Sequence, residues 1–212
     1  RDSVANMYSA ITSLMGMKEG EHEFKVMGLA PYSDPKYYKP ILSKLKELVK
    51  LDTDGKFKVK YQPIKNKKIL AQIIRFERFD NIAAAIQILT EDLIISWINF
   101  WIKKTGINNI SVSGGIFMNV KACQRILEEC NINKYFVVPS AADESTAIGA
   151  AYYGCLRSAE LNYLSPLRDL YLGMSYDEKQ IYSYLNENKI SERYEILKPD
   201  NINHTVAVLL SK

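Results

Sequence analysis

Ile110-Ser111-Val112-Ser113-Gly114-Gly115-Ile116-Phe117-Met118-Asn119 and, one helix later, Pro139-Ser140-Ala141-Ala142-Asp143-Glu144-Ser145-Thr146-Ala147-Ile148-Gly149-Ala150-Ala151 are the stretches that decide how this chain folds. Each reads as a short apolar strand, a loop of small residues and the start of a helix, the layout that turns backbone N–H groups toward a phosphate or nucleotide. Strand 109–112, helix 119–130, strand 135–138 and helix 145–160 make a β-α-β-α series. Parallel strands need a crossover helix between them, so the series predicts an α/β fold with parallel neighbours.

Working upstream, residues 80–104 carry the strongest helical pattern, with Ile82, Ala85, Ile86, Leu89, Leu93, Ile94 and Trp97 recurring every three or four positions and Gly106 ending it. This predicts a central buried helix. Trp97 and Trp101, one turn apart, read either as core or as a stacking platform. Residues 3–17 predict a second helix through Val4, Met7, Tyr8, Ile11, Leu14 and Met15. Glu21 to Tyr32 mixes charge, Gly and Pro, and predicts a structured loop or short helix. Residues 34–68 hold eleven lysines, a helix pattern from Tyr37 to Lys50 and a hairpin signal at Asp54-Gly55, with Phe57, Val59 and Tyr61 alternating with Lys58 and Lys60. That span reads as a lysine-rich surface insertion.

Composition bounds the function. With 47% hydrophobic and 25% charged residues, 212 residues can bury a substantial core. A net charge of +4, from 28 bases and 24 acids, is too mild to imply nucleic acid. No apolar run is expected to reach the roughly 18 residues of a membrane span, and Arg1-Asp2-Ser3 does not read as a signal peptide. A chain starting at Arg is expected to be a fragment. Cys123, Cys130 and Cys155 form no C-x-x-C pair and read as small core residues of a cytoplasmic protein. His22 and His204 form no metal-binding pair.

In the first loop, Gly114 and Gly115 permit positive φ and close approach of a ligand to the backbone, and Ser113 adds a hydroxyl. Asn119 is either a nucleotide-contacting amide or the N-cap of the next helix. Asp143 has two readings as well, an N-cap accepting from Ser145 and Thr146 or a ligand of Mg²⁺, Mn²⁺ or Fe²⁺. Glu144 is expected to face solvent or complement the helix N-terminus. Ala147, Gly149, Ala150 and Ala151 leave one helix face nearly bare for close packing.

The order Lys-Val-Met-Gly-Leu-Ala-Pro-Tyr (25–32), Ser-Gly-Gly-x-x-x-Asn (113–119), Pro-x-Ala-x-Asp with Ala-x-Gly-Ala-Ala (139–151) and Tyr-Leu-Gly-x-Ser-Tyr (171–176) resembles the nodulation-type O-carbamoyltransferase family. The resemblance implies a partial actin/Hsp70/sugar-kinase-like (ribonuclease-H-like) domain over 1–165, related to the tRNA threonylcarbamoyl transferase. The insertion 34–68 lies within it, and 166–212 would be the truncated start of a second α/β domain that makes carbamoyl adenylate. Helix-like segments at 177–188 and 202–211 fall in that second part.

The implied reaction takes carbamoyl phosphate and ATP to carbamoyl adenylate, then passes the carbamoyl group to a hydroxyl of a sugar or small metabolite. By resemblance, Asp143 matches the catalytic metal-binding Asp, with Fe, Mn or Mg as the divalent metal. Ser113, Gly114, Gly115 and Asn119 match the adenylate-contacting turn, and Lys25 and Gly28 match a loop lining the same cleft, with Lys25 facing a phosphate. Ala142 stands where the family commonly has Gly. The family's metal histidines would precede residue 1, so the fragment alone is expected to be inactive. No membrane or nucleic-acid partner is implied, and a homodimer is compatible with the sequence but unread in it. The alternatives are a sugar or metabolite kinase of the same superfamily and a non-catalytic nucleotide-binding module; a dinucleotide-binding dehydrogenase is disfavoured, because no G-x-G-x-x-G follows a strand.

Overall fold

A long apolar helix organises the larger part of the chain. The computed structural model describes residues 3–60, 67–158, 171 and 173–211. Tyr61, the last two residues of the helix expected at 145–160, Pro166 and Leu172 lie outside the described residues. The chain divides into two units, 1–164 and 165–212. In the first, α1 (Val4–Leu14) and α2 (Glu23–Leu29) lead through a 3-10 turn at Ala30–Tyr32 to α3 (Pro35–Lys46), strands β1 (Val49–Leu51) and β2 (Phe57–Val59), α4 (Lys67–Ile74) and α5 (Phe79–Thr105). Strand β3 (Asn109–Val112), a 3-10 turn at Gly115–Met118, α6 (Val120–Glu129), β4 (Lys134–Val137) and α7 (Ser145–Arg157) follow.

The 27-residue α5 is buried along most of its length, because apolar residues occupy nearly every face of its first half. That half packs with Met7 and Ile11 of α1, Val26 of α2, Ile41 and Leu45 of α3 and Leu70 of α4 in one core. Its second half, through Ile94, Ile95 and Ile98, forms another core with Val112 of β3, Phe117, and Ala122 and Ile126 of α6. Each fully buried Leu or Ile here contributes about 1.5–3 kcal/mol. Contrary to the expectation that no apolar run reaches a membrane span, α5 is long and apolar enough to cross one. However, 67% of its apolar window is buried inside the protein, the pattern of a core helix.

Strands β3 and β4 pair in parallel, Asn109 opposite Lys134 and Val112 opposite Val137, with α6 as the crossover. This is the β-α-β arrangement expected, in a helix-rich α/β chain whose described sheets have two strands each. The 34–68 segment departs from the surface insertion expected. Lys36, Lys39, Lys44, Lys46, Lys50, Lys56 and Lys58 face outward, while Ile41, Leu42, Leu45, Leu48 and Val49 are buried and join the first core. Its antiparallel hairpin, Leu51 opposite Phe57, turns at Gly55 with φ +78°. A Cβ at Gly55 would come within 3 Å of the Phe100 and Trp101 rings, so glycine is required both for the turn and for docking on α5. Trp97 donates its indole N–H to the Gly55 carbonyl (3.0 Å) and Trp101 stands edge-to-face to Phe100. The two tryptophans therefore help to dock the hairpin on α5.

Three other expectations are corrected. Of the three cysteines expected in the core, Cys130, the C-cap of α6, is buried, Cys123 is half-buried and Cys155 is exposed. The small-residue helix α7 buries no residue in this unit, and Ile148, Tyr152 and Leu156, four apart, lie along one exposed face. Asp143 does not cap α7 with its side chain. Glu144 occupies the N-cap position, exposed as expected, while the Asp143 carbonyl accepts from the N–H and hydroxyl of Thr146. The second unit contains α8 (Glu178–Glu187) and α9 (Ile202–Leu210), near the two segments expected. Asp177 and Gln180 form a reciprocal capping box at the start of α8, and Lys198 pairs with Glu178 at 2.7 Å.

Candidate functional site

Between the N-terminal helices and the glycine turn lies a cleft of about 300 Å³. One wall is α1 and α2 with the loop between them, through Tyr8, Ser9, Glu21, Glu23, Phe24 and Met27. The opposite wall is the turn after β3, through Gly115, Ile116, Met118 and Asn119, with Ala142 of the following loop beside it. Three segments far apart in sequence thus meet, because α5 packs against α1 and α2 with its first half and against α6 with its second.

The turn takes its shape from Gly114. Its φ of +108° is open to glycine and strained for other residues, and its N–H donates to the Ala141 carbonyl (2.8 Å), tying the two loops together. The Phe117 N–H closes back on the Gly114 carbonyl (2.9 Å). The N–H groups of Gly115 and Ile116, on the cleft wall, take no backbone partner among the described residues. They are the donors an anionic ligand would find there.

Asn119 sits on the cleft wall and caps α6, its Oδ1 accepting from the Ala122 N–H at 3.1 Å. That bond fixes the amide orientation, since the oxygen must face the backbone donor. Gln87 of α5 then meets Asn119 reciprocally: its Nε2 donates to Asn119 Oδ1 and its Oε1 accepts from Asn119 Nδ2, both at 2.9 Å. Gln87 Nε2 also donates to Glu91 (2.6 Å), and Gln87 Oε1 accepts the Tyr8 hydroxyl (2.9 Å). All four hydrogen-bonding positions of this buried amide are used. Burial, followed by the charges of Glu91 and Glu23, holds the Tyr8 phenol well above its usual value, so it remains a neutral donor.

Glu91 is buried and needs compensation, which Arg125 of α6 provides at 2.9 Å. Arg125 also reaches Asp92 (3.2 Å) and Glu129 (2.6 Å). Its hydrogen bond to Glu129, then those to Glu91 and Asp92, push its pKa further up, and the same contact holds the Glu129 carboxyl below its usual value. The glycine turn is therefore braced from behind by a charged and amide network running from α1 through α5 to α6. None of Tyr8, Gln87, Glu91 or Arg125 was singled out from sequence. Their signal was two polar residues, Gln87 and Glu91, four apart on the stretch of α5 that apolar periodicity marks as buried.

The remaining residues named from sequence are placed as follows. Lys25 and Gly28 are exposed and do not line this cleft; at 3.6 residues per turn Lys25 lies on the face of α2 opposite Glu23 and Met27. The Lys25 ammonium instead sits 5.8 Å from the centre of the Phe24 ring. Ser113 faces a separate groove of about 430 Å³ along β3, lined by Trp101 and Ile102 of α5. Asp143 is exposed, one residue beyond the lining position Ala142. No group of three His, Cys, Asp or Glu side chains that could hold a metal occurs among the described residues, so Asp143 does not make a metal centre with them.

Comparison with known proteins bears out the family resemblance. An uncharacterized protein of Synechocystis sp. is 28% identical over 230 residues, covering 99% of this chain and 37% of that protein. Nodulation protein NolO of Bradyrhizobium diazoefficiens is 29% identical over 194 residues, 87% of this chain and 34% of its own length. Nodulation protein NolNO of Sinorhizobium fredii is 27% identical over 181 residues, 81% of this chain and 26% of its own length. The chain thus spans about a third of the length of the curated relatives it matches. Residues 1–152, most of the 212, match the family described as the carbamoyltransferase N-terminus, and the chain belongs to that family.

Proposed function

We propose that this chain is the nucleotide-holding part of an O-carbamoyltransferase, whose cleft receives carbamoyl adenylate formed from carbamoyl phosphate and ATP. The observation that carries the reading is the convergence of α1, α2 and the Gly114–Asn119 turn on one cleft, in a chain of the carbamoyltransferase N-terminus family. In the transfer step a hydroxyl oxygen of a sugar or small metabolite bonds the carbamoyl carbon. The bond from that carbon to the adenylate oxygen breaks, AMP leaves, and the hydroxyl proton is released.

The free N–H groups of Gly115 and Ile116 suit the adenylate phosphate, and their fixed turn lets them act without reorganising during the reaction. Phe24, Met27 and Met118 give the cleft apolar surface for the base. Asn119, with both side-chain atoms engaged, holds the turn in place. Asp143 would supply one carboxylate to a divalent metal whose other ligands lie outside the described residues. The β3–α6–β4–α7 series fits one lobe of an actin/Hsp70-like domain, with the acceptor specificity set by the rest of the polypeptide. A cytoplasmic location accords with three unpaired cysteines.

The test is the complete polypeptide supplied with carbamoyl-labelled carbamoyl phosphate, ATP and a panel of hydroxyl acceptors. Label transferred to the acceptor in step with AMP release supports the reading. Transfer of the ATP γ-phosphate to the acceptor, without carbamoyl transfer, would establish a kinase in its place.

A further inference from the structure

The cleft is acidic on one side. Glu21 and Glu23 line it, and no Lys or Arg does. A phosphate is disfavoured beside them, so a nucleotide must place its anionic end at the other wall, where the Gly115 and Ile116 N–H groups are. Glu23 is held in a defined position. Its Oε1 accepts from the Ser9 hydroxyl at 2.7 Å and from the Gly20 N–H at 2.8 Å. Glu21, by contrast, is paired with Lys18 at the surface.

A carboxylate has about four lone-pair positions. Two of Glu23's are filled at Oε1, and Oε2 takes no partner among the described residues. Two acceptor positions on one fixed oxygen match the two O–H donors of a vicinal diol. The neighbouring Tyr8 hydroxyl does not compete for them, since it is already donated to Gln87. Phe24, the next residue, leaves 61% of its surface exposed at the rim, where a base or sugar ring can lie against it.

We propose that Glu23 is the ribose-binding residue of the cleft, its Oε2 accepting the 2′- and 3′-hydroxyls of the nucleotide. The proposal rests on the nucleotide reading above and adds the ligand's orientation: ribose toward α2, phosphate toward the glycine turn. Ser9 and the Gly20 N–H are positioning groups that fix the carboxylate.

The test is calorimetric titration of the complete polypeptide, wild type and Glu23→Gln, with AMP, 2′-deoxy-AMP and 3′-deoxy-AMP. Glutamine keeps an oxygen for Ser9 and Gly20 but loses the charge. Loss of one hydroxyl should weaken wild-type binding about tenfold, the scale of a hydrogen bond to a charged group. Glu23→Gln should weaken AMP by about tenfold or more and abolish the distinction between AMP and the deoxy analogues. Equal weakening of all three ligands in the variant would assign Glu23 to the loop's structure alone and overturn the proposal. So would a wild type that binds AMP and its deoxy analogues equally, a result that needs no variant. A wild type that binds none of the three overturns the nucleotide reading itself, and the proposal with it.

Discussion

Replacing Gln87 by Leu tests whether the buried network braces the glycine turn. Leucine is close in size to glutamine, so the change leaves little cavity and removes hydrogen bonds almost alone. Asn119 keeps its bond from the Ala122 N–H, and Glu91 keeps Arg125 at 2.9 Å. The Tyr8 hydroxyl, on a residue only 5% exposed, loses its acceptor, which costs about 1–3 kcal/mol for a buried unsatisfied group. Loss of the Gln87–Glu91 bond, at 2.6 Å to a charged acceptor, adds about 1.5–3 kcal/mol. Greater apolar burial at position 87 returns part of this, leaving about 3 kcal/mol. Urea unfolding followed by the fluorescence of Trp97 and Trp101 measures it. Tyr8→Phe removes the orphaned hydroxyl, so the double variant should lose about 1–2 kcal/mol less than the sum of the single losses. A Gln87→Leu loss within about 0.5 kcal/mol, or strictly additive losses, would refute the reasoning.

Gly114→Ala meets no steric obstacle, since nothing lies within 4 Å of its Cβ, but it must hold φ at +108°; it should cost about 1–3 kcal/mol in a thermal melt, whereas Gly115→Ala, at ordinary φ, should cost much less. Glu129 has its folded pKa lowered by Arg125, so its stabilising contribution is present above the unfolded carboxylate value and is lost as pH falls through the folded one. Melting temperatures of Glu129→Gln should accordingly depend less on pH than the wild type's below about pH 4.5, and an unchanged profile would discount the pair. Under native conditions a thiol reagent should label exposed Cys155 first and Cys123 slowly. Buried Cys130, whose thiol burial pushes up, should react only on unfolding, as peptide mapping would show.

What the sequence made legible was what periodicity encodes. The spacing of Ile82, Ala85, Ile86 and Leu89 marked α5, and two apolar strands with a helix between them marked the parallel β3–β4 pair. Lysine density in 34–68 was misleading because it reports only the outward face. Ile41, Leu42 and Leu45 at helical spacing carried the contrary signal, and they are core. At the cleft, residue type left two readings of Asn119 open because capping and ligand binding use the same amide atoms. Only the positions of Ala122 and Gln87 show both side-chain atoms engaged. Lys25 was placed at the cleft through its motif, yet the turn of α2 presents Glu23 and Met27 there.

The sign of the cleft follows from that last difference. A lysine on the wall would have made α2 the phosphate side; in the proposed nucleotide complex a carboxylate makes it the hydroxyl side and leaves the anion to backbone donors at Gly115 and Ile116. Those donors are useful only if the turn does not shift when charge arrives, and nothing in the turn's own sequence guarantees that. The bracing comes from behind it, through Asn119 to Gln87 and through Arg125 to Glu91, both on the half of α5 that also packs against α1 and α2. Each wall of the cleft is thus fixed to α5, and a substitution at Gln87 should alter ligand affinity at the turn as well as stability, although the residue does not line the cleft.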